Sequence, residues 1–176
     1  MECRARGKSK YAKYMSIAVC PGSYDPITYG HIDVVERALG MFDEVIVAVA
    51  RNSQKKYLFS ADERLKMAQE VMAPLQRVRV EIAEGLIADF AKAHQAAAIV
   101  KGLRGAADYD GEQAMSLLNR HLSGIETVFI IGDPNLAHIA SSFVKDIAFY
   151  GGKIDDLVPG AVASALKEKV RKNAGK

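Results

Sequence analysis

The chain has few of the features that mark several large classes of protein. Its 176 residues contain no tryptophan and only two cysteines, Cys3 and Cys20, which is too few for a disulfide framework or a cysteine-based metal site. No apolar run approaches the roughly 20 residues that span a bilayer, and no signal-peptide pattern follows the basic N-terminus. We therefore expect a cytoplasmic protein that does not enter a membrane.

The body of the chain also lacks an excess of positive charge. Residues 1–14 and 167–176 each contain five basic residues and one acidic residue, so the remaining 14 of 24 basic and 19 of 21 acidic residues give the central part a net charge of −5. A nucleic-acid-binding domain instead concentrates positive charge on its folded surface, so nucleic acid is not an expected partner. We expect residues 1–14 to be a disordered extension and residues 15–176 to form one domain.

Short apolar, β-branched segments alternate with segments of helical periodicity. The sequence predicts strands over 16–20, 44–50, 78–83, 97–102 and 127–132. It predicts helices over 32–42, 60–75, 86–95, 108–122, 141–150 and 159–171. This alternation predicts an α/β fold, a Rossmann-like doubly wound parallel five-stranded sheet in the order 3-2-1-4-5 with helices on both faces. Ligands bind such sheets at the carboxyl ends of the strands where the winding reverses, which here lies between the first and fourth strands.

The segment PGSYDPITYGH, residues 21–31, follows the first strand and precedes a helix. Gly22 permits close approach to the backbone, and Ser23 offers a hydroxyl group. His31 stands at the start of the helix, where unpaired N–H groups and the helix dipole favour an anion. The segment contains neither a Walker motif nor a G-x-G-x-x-G fingerprint, so its distinctive element is T-x-G-H over residues 28–31.

A second segment, KGLRG, ends the fourth strand at residues 101–105. The carboxyl ends of the first and fourth strands are neighbours in the predicted sheet. We therefore expect residues 21–31 and 101–105 to meet over one cleft, although about eighty residues separate them in the sequence.

Together these residues resemble the signature of the phosphopantetheine adenylyltransferase family, which belongs to the T/H-x-G-H nucleotidyltransferase superfamily. GSYDPITYGH departs from the family's usual pattern only at Tyr24, where phenylalanine is common. The resemblance covers nearly all of residues 16–166. It continues through SQKKYLFSADER (53–64), KGLR (101–104), MSLLNRHL (115–122) and IASSFVKD (139–146).

The resemblance implies transfer of the adenylyl group of ATP to 4′-phosphopantetheine, giving dephospho-CoA and pyrophosphate in the penultimate step of coenzyme A biosynthesis. The attacking phosphate is already an anion, so in-line attack needs neither a general base nor a covalent enzyme intermediate. The resemblance also implies a homohexamer and feedback inhibition by coenzyme A. Mg²⁺ is the implied cofactor, held mostly by ATP phosphates and water rather than by a protein metal site.

The same resemblance implies the residues of the site. The candidate catalytic residues are His31, Ser23, Lys55 and Arg104. Contacts with ATP are expected from Ser23, Tyr24, His31, Gly102, Leu103, Arg104, Glu112, Leu136, Ala137, His138, Ile139, Ala140, Ser141 and Ser142. Contacts with phosphopantetheine are expected from Ser23, Lys55, Leu86, Ile87 and Lys101. His31, neutral or protonated, would donate a hydrogen bond to the α-phosphate in the transition state.

Three features depart from the family pattern. Ala140 replaces a common serine, and Leu136 stands where some relatives have an aromatic residue. The stretch DYDGE, residues 108–112, contains Asp and Gly at unusual places, so we expect a looser loop before Glu112. Lys145 is one turn into the predicted helix over 141–150, where it would face either the phosphates or solvent.

Three other functions are consistent with parts of the sequence. A related enzyme would use nicotinamide mononucleotide as the acceptor, or CTP with an alcohol phosphate, although KGLR and Lys55 argue against it. A nucleotide-binding regulatory module without turnover is disfavoured by intact Ser23, His31, Lys55 and Arg104. A nucleic-acid-binding protein that uses its basic ends would show a steep salt dependence of binding.

Overall fold

The computed structural model describes residues 15–52 and 55–174, so the expected disorder of residues 1–14 lies outside the described part. The described residues form a five-stranded sheet in the order β3-β2-β1-β4-β5. All four neighbouring pairs are parallel, which confirms the predicted Rossmann-like architecture. The strands are β1 (Ile17–Gly22), β2 (Glu44–Ala50), β3 (Val78–Ala83), β4 (Ala98–Leu103) and β5 (Thr127–Ile131).

Six α-helices connect or follow these strands within the described residues. They are α1 (Tyr29–Leu39), α2 (Ala61–Met72), α3 (Ile87–Ala93), α4 (Ala106–Ser123), α5 (Ser141–Phe149) and α6 (Gly160–Ala174). A short 3₁₀ turn over Pro134–Leu136 precedes α5. No helix in this part of the chain is both long enough and apolar enough to cross a membrane.

Capping boxes begin α1 and α2, whereas α3, α4 and α5 begin without a side-chain cap. At the start of α2, Glu63 N–H donates to Ser60 Oγ at 3.2 Å and Ser60 N–H donates to Glu63 Oε2 at 2.7 Å. The helix α1 begins at Tyr29 and ends at Leu39, three residues earlier at each end than predicted. The stretch 108–112 lies inside α4, so the looser loop expected there is replaced by a helix.

The sheet carries hydrophobic cores of unequal size on its two faces. The larger core packs residues of β1 and β2 against α1, α2, α5 and α6, with Ile27, Val35 and Leu166 fully buried. The smaller core includes Val19 and Ile46 of the sheet and packs against α3. In α4 only Asn119 is buried. The helix that follows β4 is therefore the most exposed of those packed against the sheet.

Candidate active site

A cleft with a volume of about 940 Å³ opens at the carboxyl ends of β1 and β4. One side, the β1 wall, consists of residues 20–31, and the opposite side, the β4 wall, consists of residues 101–112. Gly102 allows β4 to pack closely against α1, because a Cβ atom there would lie 2.5 Å from Val34 Cγ2. The cleft therefore lies at the position where the strand order reverses, as the sequence predicts.

The imidazole of His31 is oriented by the start of its own helix. The backbone N–H of Thr28, the residue that caps α1, donates to His31 Nδ1 at 3.0 Å, and Thr28 Oγ1 lies 2.9 Å from the same atom. A backbone N–H can only donate, so Nδ1 is an acceptor and the neutral ring carries its proton on Nε2. Burial, and to a lesser degree the charge of Arg104, lowers the pKa of His31 to about 4. His31 is therefore a neutral Nε2–H donor at pH 7.

The buried side chain of Tyr24 packs against this histidine. Its ring is buried and contacts the His31 ring edge-on, with the two centroids 5.0 Å apart. The phenolic hydroxyl donates to the Cys20 carbonyl at 2.7 Å, and burial raises the pKa of the phenol. Burial also raises the pKa of the Cys20 thiol to about 12, which leaves that thiol unreactive at neutral pH.

The β4 wall holds its two cations in ion pairs with α4. Arg104 Nε and Nη2 donate to the two carboxylate oxygens of Asp108 at 2.9 and 2.8 Å. These hydrogen bonds lower the pKa of Asp108. One turn further along α4, Glu112 Oε2 lies 3.0 Å from Lys101 Nζ. Lys101, predicted to contact phosphopantetheine, and Glu112, predicted to contact ATP, are thus direct neighbours.

Asp25 connects the β1 wall to two other parts of the chain. The carboxylate is 3% exposed and accepts the backbone N–H groups of Leu58 and Phe59 at 3.0 and 2.9 Å. Lys145 Nζ on α5 donates to Asp25 Oδ2 at 2.8 Å. Asp25 is not among the residues predicted for the site, although it is the only charged residue between positions 16 and 30. Lys145 therefore points to the cleft, where it is paired with this acid.

The start of α5 presents backbone donors to the cleft. Ala140 occupies the capping position and provides no side-chain acceptor for the first turn. The hydroxyl of Ser141 donates instead to the Pro26 carbonyl at 2.8 Å, which ties α5 to the β1 wall. The first N–H groups of a helix lack intrahelical partners, so the missing serine at position 140 leaves these donors for an anionic ligand.

Most of the residues predicted for the site lie together in the cleft. The predicted residues that line it are Ser23, Tyr24, His31, Lys55, Ile87, Lys101, Gly102, Leu103, Arg104, Glu112, Leu136, Ile139, Ala140, Ser141 and Ser142. Leu86, Ala137 and His138 are not among the lining residues. Thr28, which was not predicted for the site, also lines the cleft. The sequence signal that could have identified it is the capping pair of Thr28 with His31, three residues later.

The carboxylates around the cleft are already engaged by the protein. Within residues 15–52 and 55–174, no group of three His, Cys, Asp or Glu side chains is arranged to hold a metal ion. Asp25, Asp108 and Glu112 each pair with a lysine or an arginine. A cation bound here would therefore depend on ligands that come with a substrate.

Comparisons with known proteins agree with this geometry. The cytidylyltransferase-like family model matches residues 19–147. A phosphopantetheine adenylyltransferase from Pseudarthrobacter chlorophenolicus is 48% identical over 153 residues, which cover 86% of this chain and 92% of that protein. A crystal structure from Vibrio parahaemolyticus, assigned as a nicotinate-nucleotide adenylyltransferase, covers 87% of this chain and 99% of its own with a TM-score of 0.61 and 16% identity, and it bears on the fold alone. The chain belongs to the cytidylyltransferase-like nucleotidyltransferases and, within them, to the phosphopantetheine adenylyltransferase family.

Proposed function

We infer that the protein transfers the adenylyl group of ATP to 4′-phosphopantetheine, which yields dephospho-CoA and pyrophosphate. The 48% identity with a phosphopantetheine adenylyltransferase supports this acceptor. The observation that carries the chemistry is the meeting of His31, Lys101 and Arg104 in one cleft, at the strand ends where such sheets bind ligands. These groups suit two substrates that both carry phosphate.

In our proposed mechanism the protein contributes position and charge stabilisation. An oxygen of the acceptor phosphate forms a bond to the α-phosphorus of ATP, while the bond from that phosphorus to the bridging oxygen breaks and pyrophosphate leaves. The Nε2–H of His31 donates to the α-phosphate, where negative charge accumulates. A preorganised donor of this kind contributes about 10²- to 10³-fold to the rate. No side chain needs to accept a proton.

We assign the two substrates to different parts of the cleft. The triphosphate lies between Arg104 and the start of α5, where the uncapped N–H groups and Ser142 are available. The acceptor phosphate lies between Ser23 and Lys55. The pantetheine arm then extends past Ile87, which lines the cleft. Contacts from Leu86, Ala137 and His138 stay predictions.

Mg²⁺ enters this proposal with the nucleotide. Because Asp25, Asp108 and Glu112 are paired with basic side chains, these residues fit an ion whose ligands are mainly phosphate oxygens and water. When bound, Mg²⁺ would neutralise part of the phosphate charge. Lys145 and Arg104 then neutralise the remaining charge of the triphosphate from the protein side.

We also propose that the protein is a cytoplasmic homohexamer inhibited by coenzyme A. Apolar side chains that lie on α4 or end β5 support self-association, because between 43% and 76% of each is exposed: Met115, Leu117, Leu118, Leu122 and Ile131. Coenzyme A carries the same pantetheine phosphate as the acceptor, so it would occupy the proposed acceptor position. Sedimentation of the purified protein tests the hexamer directly.

Pyrophosphate release in the presence of Mg²⁺ tests the activity. The panel pairs ATP with 4′-phosphopantetheine, nicotinamide mononucleotide or glycerol 3-phosphate, and includes CTP with glycerol 3-phosphate. We expect release with phosphopantetheine alone. Pyrophosphate release with another acceptor would show that the acceptor we propose is wrong. A folded protein that binds ATP but releases no pyrophosphate would favour the regulatory module.

A further inference from the structure

Arg64 on α2 is the largest fully buried side chain in the described part of the chain, with 1% of its surface exposed. Its Nη1 donates to the carbonyl oxygens of Ser23 at 2.5 Å and Ala50 at 3.0 Å. Its guanidinium carbon lies 4.0 Å from the centroid of the Tyr57 ring. Its Nε has no hydrogen-bond partner among the described residues. Within the described part of the chain, this cation thus bonds to two carbonyl oxygens, stacks on one ring and pairs with no carboxylate.

A buried guanidinium without a carboxylate partner destabilises a protein core. Removal of a charge from water costs several kcal/mol unless excellent partners replace the lost hydration. Carbonyl oxygens and an aromatic face offset only part of that cost. An apolar side chain of similar length would pack in the same place without the charge, so stability alone does not explain an arginine here.

The three groups that Arg64 contacts all belong to the same part of the cleft. Ser23, Ala50 and Tyr57 each line the cleft. They come from the β1 wall, the end of β2 and the segment that carries Lys55. This one guanidinium therefore fixes the distance between the Ser23 segment and the Lys55 segment, and it places positive charge directly behind them.

We propose that Arg64 is a positioning residue for the acceptor phosphate, acting through Ser23 and the segment that contains Lys55. This inference rests on the proposed function, in which Ser23 and Lys55 together bind the phosphate of phosphopantetheine. Arg64 does not touch the substrate. It holds together the segments that carry the two binding groups, through the Ser23 carbonyl and the Tyr57 ring, and its charge favours an anion there. Among the described residues, no hydrogen bond, ion pair or ring contact joins Arg64 to the nucleotide half of the cleft, which the β4 wall and α5 form.

The test is a comparison of Michaelis constants in the full-length protein. Arg64→Met keeps an unbranched, flexible side chain, although a shorter one, and removes the charge and both hydrogen bonds. We expect the KM for phosphopantetheine to rise at least about tenfold, the equivalent of roughly 1.4 kcal/mol, while the KM for ATP changes less than about twofold. Arg64→Lys keeps the charge but loses the planar fork, so we expect a smaller rise, again confined to phosphopantetheine.

Arg77→Met is the matched control. Arg77 also donates to backbone carbonyls, those of Leu39, Phe42 and Asp43, but it precedes β3 and lies at the opposite end of the sheet from the cleft. Its loss should lower stability and leave both KM values near wild type. A merely structural role for Arg64 predicts the same behaviour as Arg77.

The outcomes separate the two proposals. If the wild-type protein does not use phosphopantetheine, the proposed function fails. If the wild type is active and a folded Arg64 variant keeps its phosphopantetheine KM, or changes both KM values equally, this inference is overturned. Failure of both Arg64 variants to fold, judged by circular dichroism and ATP binding, would also overturn it, because it would make Arg64 a stability element.

Discussion

The β1 wall and the β4 wall present polar groups to the same cleft, but they hold those groups in different ways. In the β1 wall, Tyr24, Asp25 and Thr28 are at most 4% exposed, and backbone hydrogen bonds orient His31 and Asp25. In the β4 wall, Arg104 and Lys101 are held by acidic side chains of α4, and 45% of the Arg104 side chain is exposed.

The difference indicates a division of labour between the walls. Buried hydrogen bonds to backbone groups keep one geometry, which suits a group that must meet a transition state without rearrangement. Solvent-exposed ion pairs contribute about 0–1 kcal/mol each, so Arg104, whose side chain is 45% exposed, can exchange Asp108 for a substrate phosphate at small cost. The β1 wall is therefore organised before substrates arrive, and the β4 wall completes its contacts with them.

Removal of the His31 side chain should have the largest effect. We expect His31→Ala to lower kcat by about 10²- to 10³-fold, because the donor to the α-phosphate is lost, with little change in ATP affinity. Steady-state pyrophosphate release and calorimetric ATP titration measure the two quantities. His121→Ala, which removes an exposed histidine of α4, is the control. A loss of kcat below about threefold would sink the role that we assign to His31.

Overpacking the contact between β4 and α1 should have the next largest effect. Gly102→Ala places a methyl group within 2.5 Å of Val34 Cγ2, and overpacking of this kind costs about 1–3 kcal/mol. Urea unfolding measures the loss, and the added substitution Val34→Ala should recover part of it. Gly111→Ala is the control, because nothing lies within 4 Å of its added Cβ. Equal effects at the two glycines would contradict the packing argument.

The neutral state of His31 should appear as a pH dependence of stability. Folding lowers the pKa of His31 from 6.5 to about 4, so the unfolded chain binds the extra proton between these values. The contribution of neutral His31 is complete above pH 6.5 and is lost as the pH falls through about 4. His31→Gln preserves the capping acceptor without the titration. As the pH falls, the unfolding free energy of His31→Gln should therefore approach or exceed that of the wild type. If the difference between the two unfolding free energies stays constant with pH, His31 does not titrate in this way.

The smallest effect is expected from the β4 wall. Asp108→Asn removes the acid that competes with phosphate for Arg104, so we expect ATP to bind about two- to threefold more tightly at low salt. The gain should fade as salt screens the cleft. Asp110→Asn changes the same net charge on the exposed side of α4 and should have no such effect. Weaker ATP binding in Asp108→Asn would show that Asp108 is needed to orient Arg104.

The sequence predicts the sheet order and the meeting of residues 21–31 with 101–105 because both depend on local patterns. Apolar runs define the strands, and the turn-rich segment after β1 identifies the strand ends. The pairing of Arg104 with Asp108 depends on where α4 begins, which the prediction placed two residues late. The contacts of Asp25 with Leu58 and Lys145, and that of Arg64 with Ser23, join residues 33 to 120 positions apart, and no local pattern contains them.

The hydrogen bonds that join α5 to the β1 wall also bear on the order in which the cleft forms during synthesis. Ser141 and Lys145 reach Pro26 and Asp25 across 115 and 120 residues of sequence. During synthesis from the N-terminus, His31 leaves the ribosome long before the helix that closes its cleft. Both walls, residues 20–31 and 101–112, are synthesised before α5 (Ser141–Phe149). Because our proposal places the triphosphate between Arg104 and the start of α5, we expect ATP binding to begin only after α5 has been made.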